Sequence, residues 1–197
     1  GNGDFMIYNE EKGLEEKQIS SEKVYSGKLL QVYKDTVELP GGAESGREYI
    51  KHVGAVCIVA VTDDGKIVME RQYRYPVGKV LLEIPAGKLD SKDEDPVNAA
   101  ARELKEETGI TAEKYEYLGP LYPTCAYSDE VIHMFVARSL SFGERHTDDD
   151  EFLEVELVSL DDVAADIMAG KIADAKTQAA VMRVWVSECN VKKNKNN

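Results

Sequence analysis

Three glutamates in one short stretch of the sequence have the spacing of a cation site. Glu103, Glu106 and Glu107 stand within five positions of one another, and separations of three and four place all three on one face of a helix. Like charges so placed repel each other, so the face needs compensation, either from Arg102 and Lys105 or from a bound cation. A hard dication such as Mg2+ takes oxygen ligands. From these residues alone, a solvated acidic face and a metal site both stay open.

A longer pattern around these glutamates favours the metal site. Gly87, Glu94 and the run RELKEETGI over residues 102–110 resemble the Nudix box, G-x5-E-x7-R-E-U-x-E-E-x-G-U, in which U is aliphatic. The run matches the second half of this motif at each fixed position, which is a specific signal. Six residues separate Gly87 from Glu94 where the motif has five. The extra residue lies in the loop before the helix and leaves the spacing of the helix unchanged.

The resemblance to the Nudix hydrolases extends over nearly the whole chain. The segments 71–74 (RQYR) and 83–89 (EIPAGKL) and the closing helix after residue 174 look like the ADP-ribose pyrophosphatase branch. This resemblance implies hydrolysis of the pyrophosphate bond of ADP-ribose or a related nucleoside diphosphate sugar, giving AMP or another nucleoside monophosphate plus a sugar phosphate. It further implies Mg2+, or Mn2+ in its place, as the cofactor, and a homodimer.

The box residues take two kinds of role by the same resemblance. The implied metal ligands are the Ala86 carbonyl and the carboxylates of Glu103, Glu106, Glu107 and Glu151. The implied structural residues of the box are Gly87, Glu94, Arg102 and Gly109. Arg102 would pair with carboxylates of the box such as Glu94, and Glu106 would either support the other ligands or add one.

An acidic loop outside the box is expected to supply the general base. A metal lowers the pKa of its bound water, and a nearby carboxylate can complete the deprotonation. In the branch this carboxylate comes from a loop just before a late strand, and the matching loop here is 148–151. Glu151 is the first candidate, because it aligns with an acidic residue implicated there in metal binding, and Asp149 is the second. A solvated acidic turn is the alternative.

Cationic and aromatic residues outside the box are candidates for substrate binding. Arg71 and Arg74 lie in a stretch with a net positive charge, 66–79. Arg74 is the candidate for a phosphate contact, with a surface ion pair as the alternative. By resemblance, the N-terminal sheet is exchanged within a homodimer, where Tyr25 would stack on the nucleobase and Arg47 would line the same pocket. Sheet packing explains Tyr25 equally well.

Position 125 bears on the choice of substrate. ADP-ribose pyrophosphatases commonly carry a proline at the matching position, whereas this chain has Cys125, with Pro123 two residues earlier. A nucleotide hexose therefore stays open as the substrate. Cys125 as a nucleophile has no identified base, and we interpret His133, which lies on an alternating β-like run, as a packed histidine.

The pattern of elements predicts an α+β fold of the α/β/α sandwich type, with a mixed β-sheet between helices and an antiparallel N-terminal β-sheet. Asp95 as N-cap, Pro96 in the first turn and Gly109 as terminator predict a helix over 96–108. The turn at Asp64-Gly65 predicts a hairpin that joins two central strands of one sheet.

The expected domain organisation has three parts. Residues 1–45 form a β-rich extension exchanged between protomers, residues 46–190 form the Nudix domain, and residues 191–197 form a disordered tail. Two helices are expected to close the Nudix domain. Ser159 caps the first, and the second spans about 174–186.

Composition and charge exclude several classes of function. The chain has 197 residues and a formal net charge of −13, so nucleic acids and anionic membranes would repel it. It has no run of about 18 apolar residues that would span a membrane. Three cysteines without a CxxC pair favour a reducing cytoplasm.

Three alternatives to the leading interpretation stay open. One is a catalytically silent Nudix-fold sensor of a nucleotide sugar, although a complete RELKEETGI run argues against it. Another is a Nudix hydrolase of a different substrate branch. The third is an acidic interaction domain that binds no ligand.

Overall fold

The computed structural model describes residues 13–144 and 153–195 of the chain. In chain order its elements are β1 (Lys17–Ser26), β2 (Gln31–Glu38), β3 (Glu44–Lys51), β4 (Ala55–Ala60), β5 (Lys66–Arg74), β6 (Lys79–Glu83), β7 (Ala86–Lys88), α1 (Pro96–Thr108), β8 (Ile110–Leu121), β9 (Ile132–Phe142), β10 (Glu154–Ser159), α2 (Leu160–Met168) and α3 (Ala175–Lys195).

The described residues fold into two compact units. The smaller unit holds residues 13–52 and 124–129, and the larger unit holds the other described residues. The smaller unit contains a three-stranded sheet of order β1-β2-β3 in which both pairs are antiparallel. This sheet is the antiparallel N-terminal extension that the sequence predicted.

The sheet of the smaller unit continues past the expected boundary between residues 45 and 46. Strand β3 crosses this position and pairs with β2 along its whole length. The sequence pattern shows no break there, because the β-like signal continues from Arg47 into the next strand. The regular strand conformation stops instead before Gly54, whose φ of 104° lies in the left-handed half of the backbone map.

Two sheets form the framework of the larger unit. The first has the order β7-β4-β9-β8 and the second the order β10-β5-β6. In the first sheet β4 and β9 are parallel, whereas β7 and β8 are antiparallel to their neighbours. The expected mixed sheet is therefore present, with β4 and β9 as its two central strands.

The hairpin predicted at Asp64-Gly65 is wrong in its pairing. The turn itself exists, since the Gly65 N–H donates to the Thr62 carbonyl at 3.0 Å. The flanking strands, however, share only the bridge between Val61 and Ile67, and each is central in its own sheet. Because β4 is already paired on both edges with β7 and β9, and β5 with β10 and β6, the two strands cannot form a ladder with each other.

Strand β4 supplies side chains to both core layers. Successive side chains of a strand point to opposite faces, and all six residues of β4 are buried. One alternate set packs with residues of α2 and α3, and the other packs with residues of α1. The first set is Ala55, Cys57 and Val59, and the second is Val56, Ile58 and Ala60. Helices on both faces of this sheet confirm the α/β/α arrangement.

Helix α1 begins and ends where the sequence predicts. The Asp95 side chain accepts a hydrogen bond from the Val97 N–H at 3.1 Å, and Pro96 opens the helix. Gly109 ends it with a left-handed φ of 73°. The residues that α1 buries are Ala99, Ala100, Leu104 and Glu107. Because Glu107 is charged, its burial indicates a role for this helix face besides hydrophobic packing.

Of the two closing helices, the second extends further than expected. Ser159 caps α2 as predicted, with its hydroxyl accepting from the Asp162 N–H at 3.4 Å. Helix α3 continues to Lys195, whereas the pattern predicted a helix ending near residue 186 and a disordered tail from 191. Once a helix is nucleated, each added residue costs little, and lysine is a good helix former. No helix within 13–144 and 153–195 is both long and apolar enough to span a membrane.

Candidate active site

Helix α1 and strand β7 bring the box residues together in the larger unit. Strand β7 forms one edge of the four-stranded sheet, where Ala86 pairs with Cys57 of β4. The Ala86 N–H donates to Glu107 Oε2 at 3.2 Å. Glu107 is only 5% exposed, so this carboxylate is held against the backbone of β7 with little access to solvent. The predicted ligand Glu107 thus contacts the backbone of the residue whose carbonyl is another predicted ligand.

Gly87 provides the space for a second carboxylate. A methyl group at this position would overlap the carboxyl carbon and both carboxyl oxygens of Glu103. Since Gly87 does not have a left-handed φ, its lack of a side chain is required by this close approach and not by a turn. The glycine of the box therefore lets Glu103 lie directly on the strand that carries Ala86.

Arg102 holds the carboxylates of the box in one network. Its guanidinium donates to Glu103 Oε1 at 2.7 Å, and at 3.3 Å to Glu106 Oε2 and to both carboxylate oxygens of Glu94. A further hydrogen bond reaches the Lys88 carbonyl at 3.1 Å. Burial alone would lower the pKa of Arg102, but the hydrogen bonds to Glu94 and Glu103 outweigh it and raise the pKa. The structure thus contains the pairing of Arg102 with Glu94 that the resemblance implies.

The loop between Gly87 and Glu94 accommodates the extra residue in a turn. The Glu94 N–H donates to the Ser91 carbonyl at 3.2 Å, and the Asp90 N–H donates to Glu94 Oε2 at 2.6 Å. Glu94 consequently still reaches Arg102. The hydrogen bond from the Asp90 backbone, together with Arg102, holds the pKa of Glu94 below its ordinary value.

Glu94→Gln is expected to weaken the acid sensitivity of folding. The pKa of Glu94 in the folded chain lies below its ordinary 4.5, so its contribution to the free energy of unfolding is complete above that value and is lost as the pH falls through the lower folded pKa. The glutamine variant lacks this titration. Between about pH 7 and about pH 3 the variant should lose less unfolding free energy than the wild type, measured by urea titration at each pH. The exposed Glu116→Gln serves as control, and equal losses in Glu94→Gln and wild type would refute the assignment.

The candidate metal ligands are brought together only in part. Among the described residues, no three His, Cys, Asp or Glu side chains are arranged closely enough to hold a metal ion. Glu103 and Glu106 contact Arg102, while Glu107 contacts the Ala86 N–H. The donor set is nevertheless entirely oxygen, on one helix face and one backbone segment, which suits a hard dication. The candidate ligand and base Glu151 and the second candidate base Asp149 lie outside the described residues.

Each arginine predicted to bind substrate has a carboxylate partner. In the larger unit Arg71 pairs with Glu156 at 2.8 Å, and Arg74 makes a two-point contact with Glu83. Their proposed substrate contacts remain predictions.

Tyr25 and Arg47 lie in the smaller unit. Arg47 Nε donates to Glu16 at 2.9 Å. Tyr25 is 57% exposed on β1, and its stacking on a nucleobase remains a prediction.

The cysteines and His133 have no arrangement that suggests covalent chemistry. Cys57, Cys125 and Cys189 are all free thiols, and only Cys125 is exposed. Burial raises the pKa of Cys57 to about 12. The Nδ1 atom of His133 lies 3.0 Å from the Tyr117 hydroxyl, and partial burial lowers the pKa of this histidine. These contacts agree with the interpretation of His133 as a packed residue.

A group of charged residues beside β7, two of them buried, was not predicted from the sequence. Its members are Arg74, Glu83, Asp174 and Lys176, joined by ion pairs of 2.6 to 3.4 Å. Glu83 is 3% exposed, and it interrupts an otherwise apolar run, 80–85. Because a buried carboxylate needs partners, that interruption was the available signal.

Family models match nearly the whole chain in two adjoining segments. Residues 51–181 match the NUDIX domain, and residues 16–50 match the nucleoside diphosphate sugar hydrolase N-terminal domain. The junction between the two models lies at residue 50, close to the end of β3.

Similar proteins cover most of the chain as well. It is 45% identical over 179 residues to an ADP-ribose pyrophosphatase of Bacillus subtilis (strain 168), covering 90% of this chain and 96% of that protein. With the same coverage it is 43% identical to a methanol dehydrogenase activator of Bacillus methanolicus. A crystal structure of an ADP compounds hydrolase superposes with a TM-score of 0.75 at 22% identity, covering 88% of this chain and 95% of that one. The last comparison shows a shared fold.

Proposed function

We propose that this chain, which belongs to the Nudix hydrolase family, cleaves the pyrophosphate bond of ADP-ribose or a closely related nucleoside diphosphate sugar. It is a pyrophosphatase of this family, and its relatives support nucleoside diphosphate sugars as the class of substrate. The products would be AMP, or the corresponding nucleoside monophosphate, and a sugar phosphate. The single observation that carries the proposal is the packing of Glu103 and Glu107 against the Ala86-Gly87 backbone.

Nudix hydrolases generally use divalent metal ions, and the residues of this site fit one. We propose Mg2+, with Mn2+ able to replace it, held by the Ala86 carbonyl and by Glu103 and Glu107, with Glu106 as support or additional ligand. Such an ion, when bound, supplies charge neutralisation at the phosphates and an acidified water. Arg102 donates to Glu103 and Glu106, so it holds these carboxylates in place and would share them with a bound cation.

The remaining steps are assigned to side chains outside the helix. Glu151 accepts the proton of the attacking water in this proposal, with Asp149 as the second candidate. Arg74 contacts a substrate phosphate, and Arg71 contributes positive charge nearby. Pyrophosphate hydrolysis needs charge stabilisation and one well-placed base, and these four residues supply both.

Tyr25 and Arg47 are proposed to form part of the nucleobase pocket in a homodimer that exchanges the N-terminal sheet. Strand β1 supports the dimer, since Ile19, Val24 and Tyr25 on it are each about half exposed, at 51%, 49% and 57%. A mass of two chains in light scattering is expected. We place the protein in the cytoplasm, where its free thiols would stay reduced.

Product analysis with a panel of substrates tests the proposed function. Purified protein is incubated with Mg2+ and, in separate reactions, ADP-ribose, a nucleotide hexose and a dinucleoside polyphosphate. We expect AMP and ribose 5-phosphate from ADP-ribose, with activity lost on chelation. The nucleotide hexose as best substrate would connect Cys125 with a changed specificity. Selective cleavage of the dinucleoside polyphosphate would place the chain in another Nudix branch, and binding without cleavage would indicate a sensor. If the protein neither binds nor cleaves any compound of the panel, the result would favour an interaction domain.

A further inference from the structure

A network of ion pairs connects the ends of β5 and β6 to the start of α3. Its members are Arg74, Glu83, Asp174 and Lys176. Lys176 Nζ lies 3.4 Å from Glu83 Oε2 and 3.1 Å from Asp174 Oδ1. Two carboxylates and two cations make the network neutral. The side chains of Glu83 and Lys176 are only 4% and 10% exposed, so neither charge is compensated by water.

Hydrogen bonds to Thr177 fasten this network to the backbone just before Ala86. The Thr177 hydroxyl donates to Asp174 Oδ2 at 2.6 Å and accepts from the Ile84 N–H at 3.0 Å. Thr177 is completely buried. The first turn of α3 is thereby fixed against the segment that joins β6 to β7, which limits how far Glu83 can move.

Glu83 determines which edge of Arg74 is available to a ligand. Arg74 donates from Nε at 3.0 Å and from Nη2 at 2.6 Å to the two oxygens of Glu83. A guanidinium engaged by this edge keeps its Nη1 donors on the opposite side. The Arg74 side chain is 39% exposed while that of Glu83 is 4% exposed. The carboxylate that holds Arg74 is therefore buried, while the Arg74 side chain itself stays partly exposed.

We infer that Lys176 is a positioning residue, which acts through Glu83 to keep Arg74 available for a phosphate of the substrate. This inference rests on the proposed function. Lys176 shares Glu83 Oε2 with Arg74, so part of the carboxylate charge is already neutralised and its hold on Arg74 is weaker. Without Lys176, Glu83 would be a buried carboxylate with Arg74 as its remaining cation in the network, and its charge would offset more of the positive charge that the Nη1 edge of Arg74 presents to a phosphate.

A double-mutant cycle on ligand affinity tests this role. The ligand is the methylene-bridged analogue of ADP-ribose, which cannot be cleaved at the pyrophosphate position, and its Kd is measured by calorimetry with Mg2+ present. We expect Lys176→Met to raise Kd about tenfold and Arg74→Ala about thirtyfold, as for loss of a charged contact. Because Lys176 acts through Arg74, the double variant should match Arg74→Ala within about twofold.

Three further variants separate positioning from general damage. Lys171→Met is the matched control, because Lys171 forms a 2.7 Å ion pair with Asp166 on the surface, and it should leave Kd unchanged. Lys176→Arg retains the charge and should recover most of the affinity. If Lys176→Met does not fold in circular dichroism, Lys176→Gln takes its place in the cycle.

The outcomes distinguish this inference from the proposed function. The inference would be overturned, even if ADP-ribose is hydrolysed, if the Kd of the double variant rose by the product of the two single-variant increases. An unchanged Kd in Arg74→Ala would overturn it as well. Absence of product from every compound of the panel would overturn the proposed function, while the Kd cycle would still test the coupling of Lys176 to Arg74.

Discussion

Glu107→Gln is expected to lower the turnover of ADP-ribose at least about a hundredfold, as for loss of one strong electrostatic contact in a catalytic site, while the chain stays folded. Glu107 is buried and accepts the Ala86 N–H at 3.2 Å. A glutamine has nearly the same shape and still offers an oxygen to that N–H, so the packing of α1 on β7 should persist. The charge that a dication needs would be lost.

Steady-state kinetics and thermal unfolding together check this prediction. The control is Glu113→Gln, an exposed glutamate on β8, which should keep both turnover and melting temperature. Glu106→Gln should also lose turnover if Glu106 is a ligand, and its exposure makes a folding defect less of a concern. Full activity in Glu107→Gln would eliminate Glu107 as a metal ligand.

The features that the sequence predicts best are those determined by neighbouring residues. The ends of α1 follow from Asp95 and Gly109, whose capping interactions involve backbone groups within a few positions. The spacing of Glu103 and Glu107 gives their common face directly, since helix geometry is fixed. For these reasons the helix and its acidic face agree closely with the sequence-based expectation.

Features that depend on distant residues were not predictable in the same way. The turn at Asp64-Gly65 is local and was found, but the choice of partners for β4 and β5 depends on strands elsewhere in the chain. Likewise Thr177 is hydrogen-bonded to Ile84 across 93 positions. No local pattern marks Lys176 as buried, because a lysine in the first turn of a helix is ordinarily exposed.

The same distinction explains why the role of Gly87 became clear only in the structure. A motif glycine suggests a turn or a close approach of the backbone, and the sequence cannot decide between them. The structure decides for close approach, because a side chain at this position would overlap the Glu103 carboxyl group. The atoms that must move are the carboxyl atoms of Glu103, at the end of a flexible side chain, and the backbone need not shift.

Gly87→Ala should therefore disable the site without unfolding the protein. The added methyl group displaces the Glu103 carboxylate from the Ala86-Gly87 segment, so we expect turnover to fall about a hundredfold. The melting temperature should change by less than about 4 °C, which corresponds to roughly 1 to 2 kcal/mol for a domain of this size.

Gly41→Ala is the matched control for Gly87→Ala. Gly41 also lacks a left-handed φ, and a methyl group there would meet no atom within 4 Å, so neither kinetics nor stability should change. Mg2+ titration of both variants by calorimetry provides a readout that does not depend on turnover. Weaker Mg2+ binding in Gly87→Ala alone would tie the glycine to the placement of Glu103. Wild-type kinetics and Mg2+ affinity in Gly87→Ala would mean that Glu103 does not need its position against β7, and the proposed ligand set would then lose Glu103.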